Sequence, residues 1–228
     1  LNQEALALAA SDLPAAQALW KEAGKCYAQA LEIKPDKHKV AYNWGVALNN
    51  EAKALAVSDL PAAQALWRQA GERYAQALAI KPDDYEAANN WGSALIQEAQ
   101  ALAVSDLPAA RELWQQAGEN YAKALKIKLD YYNAAYNFGL TLEKEAQAVA
   151  NSGDLLLAQD LWKNSGENYA LALKIKSDHY EAADNWGIAL SREAKALAAS
   201  DLPAARALWQ QAGERYAQAL EIKPDYHY

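Results

Sequence analysis

Histidine, cysteine and asparagine are the residues of this chain whose spacing most invites a chemical reading. His38, His179 and His227 stand far apart, each in or near a turn, with no Cys or second His at metal-ligand distance in the sequence. They read as solvent-facing side chains, and the chain is expected to hold no metal and to need no cofactor. Cys26 is the only cysteine, so no internal disulfide can form. It takes the place that Arg73 and Asn120 take further along, which marks a polar face rather than a nucleophile's pocket. No Gly-rich phosphate loop, Gly-x-Ser-x-Gly or His-Glu-x-x-His motif occurs. The asparagines differ: Asn43, Asn90, Asn137 and Asn185 each precede an aromatic-Gly pair. A carboxamide carries a donor and an acceptor, matching a peptide group, so a row of them could bind the backbone of an extended chain whatever its sequence. Their neighbours are Tyr42, Asn89, Tyr136 and Asp184, followed by Val46, Ser93, Leu140 and Ile188. That last set forms either an exposed apolar row for a partner or a seam against a neighbouring helix. The asparagines also have a simpler reading, as polar residues keeping a wet face soluble.

The elements that would position this row are given by internal repetition. Trp-Gly recurs at Trp44-Gly45, Trp91-Gly92 and Trp186-Gly187, with Phe138-Gly139 between the last two, at intervals of 47, 47 and 48 residues. Ser-Asp-Leu-Pro-Ala-Ala recurs from Ser11, Ser58, Ser105 and Ser200. Residues 48–94 and 95–141 share 31 of 47 positions, so neighbouring units offer copies of the same groups. Catalysis needs unlike groups converging on one place, and the expectation is that the chain is not an enzyme. The repeats are placed at 1–47, 48–94, 95–141, 142–189 and a truncated 190–228, all within one array over 1–228.

Each unit reads as two helices. Ala110, Leu113, Trp114, Ala117, Tyr121, Ala124 and Leu125 step by three or four, as one face of a helix does, and Ala88, Trp91, Leu95, Ala99 and Leu102 do the same. Ser-Asp-Leu-Pro lies between such segments, a capping residue followed by a Pro that only a helix's first turn tolerates. Lys-Pro-Asp, as at Lys34, Lys81 and Lys223, ends the second helix of a unit. Glycines inside helices, such as Gly71 and Gly92, cost about 1 kcal/mol each relative to Ala. A close approach of neighbouring helices, with Trp beside the gap, would justify them. Trp20, Trp67, Trp114, Trp162 and Trp209 share one face and should be buried. Around Asn151–Asp154 the turn is one residue longer and Leu156 replaces the Pro, which should leave the register of both helices intact. Ten helical segments are expected, the first a half helix near 1–10, with no strands.

Trp91-Gly92 followed by Ala117, Tyr121, Ala124 and Leu129, and Ala70, Tyr74, Ala77 and Pro82 in the preceding second helix, resemble the tetratricopeptide repeat signature. The departure is length, 47 residues rather than about 34, with the excess on either side of the Ser-Asp-Leu-Pro turn. The resemblance implies an all-α fold, a right-handed α-solenoid of antiparallel helix pairs: a tetratricopeptide-like superhelix with lengthened helices. It also implies that the Asn row, with Tyr42, Asn89, Tyr136 and Ser93, lines a concave groove.

Composition limits the partners. The net charge is −7, with Lys and Arg interspersed among the acids, so no basic stripe serves nucleic acid or an anionic membrane. Apolar runs reach only about five residues, against the roughly 20 that span a bilayer. A lone Cys and no opening signal peptide suggest a cytoplasmic setting. The expected function is a non-catalytic protein-protein interaction scaffold with a concave groove for a peptide or partner domain. The alternative is a structural or idealised, even engineered, solenoid that self-associates head to tail with no ligand of its own. Leu1 aligns with Leu48, halfway along a first helix, and no polar cap follows Leu220 and Ile222. The final helix is therefore expected to expose the apolar face that its predecessors bury.

Overall fold

A computed structural model describes residues 1–225. Among them are ten α-helices and no strand. In order they are α1 (Asn2–Leu8), α2 (Leu13–Ile33), α3 (His38–Leu55), α4 (Leu60–Ile80), α5 (Tyr85–Leu102), α6 (Leu107–Ile127), α7 (Tyr132–Asn151), α8 (Leu155–Ile175), α9 (Tyr180–Leu197) and α10 (Leu202–Ile222). The architecture is an all-α solenoid of helix pairs, α3 with α4, α7 with α8 and α9 with α10 packing most extensively. His227, expected to face solvent, lies outside the described residues.

The even-numbered second helices start at an Asp cap, followed in all but α8 by a Pro in the first turn. Asp12, Asp59, Asp106, Asp154 and Asp201 each accept, through Oδ1, the backbone N–H three residues on, at 3.0–3.1 Å. This satisfies one of the orphan donors of the first turn. Lys34, Lys81, Lys128, Lys176 and Lys223 then leave the helical region and donate their N–H to the carbonyl four residues back, closing the last turn. The first helices lack such a uniform start. Asp84 caps α5 through Ala87 N–H at 3.1 Å, whereas Lys37, Tyr131 and His179 make no side-chain cap.

The longer turn after α7 is absorbed locally. There α7 runs 20 residues against 18 in α3, α5 and α9, while α8 keeps the 21 residues of the other second helices. Gly153 takes φ +98°, a conformation nearly closed to residues with a Cβ, and turns the chain into α8.

The chain divides into two compact units, Leu1–Leu102 and Ala103–Tyr228. In the first, α3 lies between α2 and α4, and α3 touches α5 directly. The core is formed by Leu48, Ala52, Leu55, Ala63, Trp67, Ala70, Tyr74 and Ala94, with a smaller group of Ala5, Ala16, Trp20 and Ala47. In the second, α7 lies between α6 and α8, α9 between α8 and α10, and α7 touches α9. Its core includes Ala146, Val149, Trp162, Tyr169, Ala172 and Ala189. In both units first helices touch their like, and second helices are held apart by the first helix between them.

The helical glycines hold these layers at close range, in two reciprocal ways. A methyl on Gly71, Gly118 or Gly166 of a second helix would lie 2.7–3.0 Å from Trp91, Phe138 or Trp186 of the next first helix. A methyl on Gly45, Gly139 or Gly187 of a first helix would lie 2.6–2.8 Å from Tyr74, Tyr169 or Tyr216 of its own partner. The close approach expected from the sequence is there, with Tyr as well as Trp filling the gap. Trp20, Trp67, Trp114 and Trp162 are 2–3% exposed, but Trp209 is 42% exposed. The expectation of burial fails at Trp209 because no helix follows α10 among the described residues.

Candidate binding surface

The Asn row lies on the first helices, near their N-terminal ends, because helix periodicity sets it one position before the aromatic that packs inward. In the first unit Asn90 Nδ2 donates to Tyr42 Oη at 2.7 Å, and Asn89 Nδ2 donates to Asn90 Oδ1 at 3.1 Å. In the second, Asn185 Nδ2 donates to Tyr136 Oη at 2.8 Å. Each phenol thus laces its helix to the next first helix of the unit. Asn43 is exposed with no hydrogen bond among the described residues, Asn137 is half-buried, and Asn89 and Asp184 are buried. Ser93 Oγ donates back to Asn89 carbonyl at 3.2 Å, a bond within its own helix.

The tyrosines are set by aromatic neighbours. Tyr42 lies 6.1 Å from Tyr74 and Tyr136 5.9 Å from Tyr169, centroid to centroid. Burial, chiefly, then the carboxylate of Glu181, raises the Tyr136 phenol above its ordinary pKa, while the hydrogen bond from Asn185 works in the opposite direction. Val46, Ser93, Leu140 and Ile188 are all half-buried, and Val46 packs against the core of the first unit. Val46 is thus covered by its neighbours rather than standing in an exposed apolar row.

The histidines are less alike than their sequence positions suggest. His38 is half-buried with Nε2 3.9 Å from Asp84 Oδ2. His179 is buried at 8% exposure, against Tyr132 and Tyr136 at 5.1 and 4.7 Å, and Nδ1 lies 3.1 Å from Glu181. The reading of His179 as solvent-facing is therefore corrected: stacked first helices bring two tyrosine rings over the turn in which it sits. Desolvation lowers its pKa despite the nearby Glu181. Cys26 is exposed, as a polar-face position should be. Among the described residues no cluster of His, Cys, Asp and Glu could hold a metal ion, and no helix is long and apolar enough to cross a membrane.

Two further rows were not singled out from the sequence. The exit lysines stack over the tyrosines that open first helices, Lys176 Nζ 4.6 Å from the Tyr132 ring and Lys223 Nζ 4.3 Å from that of Tyr180. Glu51, Glu98, Glu145 and Glu193 recur at one position of every first helix, all raised in pKa mainly by desolvation. Their signal was available in the sequence as a charge repeated where the helix face turns toward its neighbours.

No family model matches the chain, and no curated protein matches it. Solved structures do. The crystal structure of MamA is 18% identical over 93% of this chain and 94% of that one, with a TM-score of 0.55. YrrB, described as a tetratricopeptide repeat protein with an unusual peptide-binding site, is 15% identical over 97% of this chain and 86% of its own, with a TM-score of 0.50. MamA from Desulfovibrio magneticus RS-1 is 12% identical over 92% and 97% of the two chains, also at 0.50. Likeness at this level of identity is likeness of fold. The chain has the fold of the tetratricopeptide repeat proteins, built from a 47-residue unit.

Proposed function

We propose that the chain is a non-catalytic, cytoplasmic scaffold, one repeat array over 1–228, whose first-helix face forms a concave groove for an extended peptide or a partner domain. The observation that carries this reading is the lacing of Asn90 to Tyr42 and of Asn185 to Tyr136. A carboxamide held by one N–H is oriented at no further entropic cost, and its second N–H remains to donate to a peptide carbonyl. Asn43, Asn137, Asn89 and Ser93 belong to the same proposed surface. YrrB, of similar fold, is described by a peptide-binding site, which lends the reading support.

The test is selection of a peptide from a random library on the full chain, followed by alanine substitution along the row. Asn43→Ala is the clean variant, because the Asn43 side chain makes no hydrogen bond among the described residues. It should weaken binding by roughly 0.5–1.5 kcal/mol, a neutral hydrogen bond's net worth, with melting unchanged. A selected peptide indifferent to Asn43, Asn90 and Asn137 would mean that the row only keeps a hydrated face and binds nothing.

A second reading, head-to-tail self-association, is favoured by α10. Its Trp209, Leu202 and Leu220 are 40–44% exposed and its Gly213 faces no atom within 4 Å. Light scattering over a concentration series would separate a self-associating chain from a strict monomer.

A further inference from the structure

Within each unit the gap between successive second helices is floored by the first helix between them. One such furrow in each unit opens onto a glutamate of that first helix. The first, about 600 Å³, lies over α3 between α2 and α4, and the second, about 500 Å³, over α9 between α8 and α10. Most of their lining residues correspond by the repeat. Glu51 and Glu193 lie in the floor, Trp20 with Trp44 and Trp162 with Trp186 form the apolar wall, and Gln17 with Lys21 and Gln159 with Lys163 lie along one edge. Asp160 and Glu167 add negative charge to the second.

The other two members of the glutamate row show what this carboxylate accepts. Arg111 Nε donates to Glu145 Oε1 at 3.3 Å, and Arg68 Nε lies 3.9 Å from Glu98 Oε1. In the helices of the open furrows, Gln17 and Gln159 stand where Arg111 stands, and Lys21 and Lys163 where Arg68 stands. Neither lysine is in ion-pair contact with its glutamate among the described residues. Consistently, only desolvation acts on Glu51 and Glu193, whereas Arg68 and Arg111 offset it at Glu98 and Glu145.

We propose that the furrows at Glu51 and Glu193 are two copies of a binding site for an arginine side chain of a basic partner segment, the guanidinium taking the place that Arg111 takes at Glu145. The planar guanidinium suits the site on two counts. It forms charge-assisted hydrogen bonds to a carboxylate, and, being weakly hydrated, it packs against indole walls where an ammonium would lose more solvation. A chain of net charge −7 attracts such a segment over distance.

The experiment titrates the full isotope-labelled chain with a tetra-arginine peptide, and in parallel with tetra-citrulline, its neutral isostere. The indole N–H resonances of Trp44 and Trp186 report each furrow separately. Tetra-arginine should shift both and tetra-citrulline neither. Glu51→Gln should erase the Trp44 shift and spare that of Trp186, and Glu193→Gln the reverse. Gln17→Arg and Gln159→Arg, which supply the guanidinium from within while keeping the carboxylate, should silence the same resonances. Circular dichroism confirms that each variant is folded. The proposal is overturned by absent shifts at low-millimolar peptide, by equal shifts with citrulline, or by shifts that survive these substitutions.

Discussion

Helices α4 and α10 differ at only three of 21 positions, Gln64 against Arg206, Arg68 against Gln210 and Ala79 against Glu221. Their surroundings differ far more. Trp67 is 3% exposed and Trp209 42%, Leu78 5% and Leu220 40%. Gly71 receives the indole of Trp91, while Gly213 meets nothing. Burial here belongs to the neighbour, not to the helix: one second helix buries its face only when first helices cover it from both sides. That is the quasi-one-dimensional energetics of a repeat array, in which each unit is stabilised mainly through its interfaces.

The sharpest way to break the comparison is at the tryptophans. Trp114→Ala should cost about 3–5 kcal/mol, a core truncation. Trp209→Ala should cost about 0.5 kcal/mol or less, as an exposed substitution does. Equal losses in denaturant melts would mean that α10 is covered in solution. Next come the glycines. Gly166→Ala forces a methyl against Trp186 and should destabilise by about 1–3 kcal/mol, as overpacking does. Gly213→Ala meets open space and should stabilise by up to about 1 kcal/mol through helix propensity alone.

The smallest effect concerns the glutamate row. A carboxyl whose folded pKa is raised favours folding while protonated, and that contribution is lost as pH rises through the folded pKa. Glu51→Gln should therefore be more stable than the parent at neutral pH, with the gap closing on acidification below the ordinary glutamate range. Glu145→Gln should gain less, because its bond from Arg111 loses the charge of the carboxylate. Melting curves at several pH values for both variants decide it.

What could be read from the residues was what repeats with the period of the helix or of the array. Asp12-Leu13-Pro14 and its copies placed the second helices, and the Trp-Gly pairs placed the close contacts. Trp209, Leu202 and Leu220 repeat the apolar pattern of their predecessors, yet no helix among the described residues covers them. What could not be read depends on how first helices stack. Tyr42 and Asn90 are 48 positions apart, and nothing in either residue says that its partner is the next first helix. The burial of His179 has the same origin, for Tyr132 and Tyr136 come from α7, the preceding first helix. The half-buried state of Val46 and Ile188 likewise follows from stacking, which composition leaves open between a seam and an exposed row.

The Tyr–Asn lacing also gives the array a parity. Position 42 and its equivalents run Tyr, Asn, Tyr, Asp, while the next position is Asn in every repeat; Tyr42 in α3 meets Asn90 in α5, and Tyr136 in α7 meets Asn185 in α9. Neighbouring repeats look like copies, yet the residue chemically equivalent to Tyr42 is two repeats away. Removing or duplicating a single 47-residue unit would set like beside like at this position. Lengthening the array in pairs would keep the alternation, so the smallest interchangeable module of this surface is two repeats.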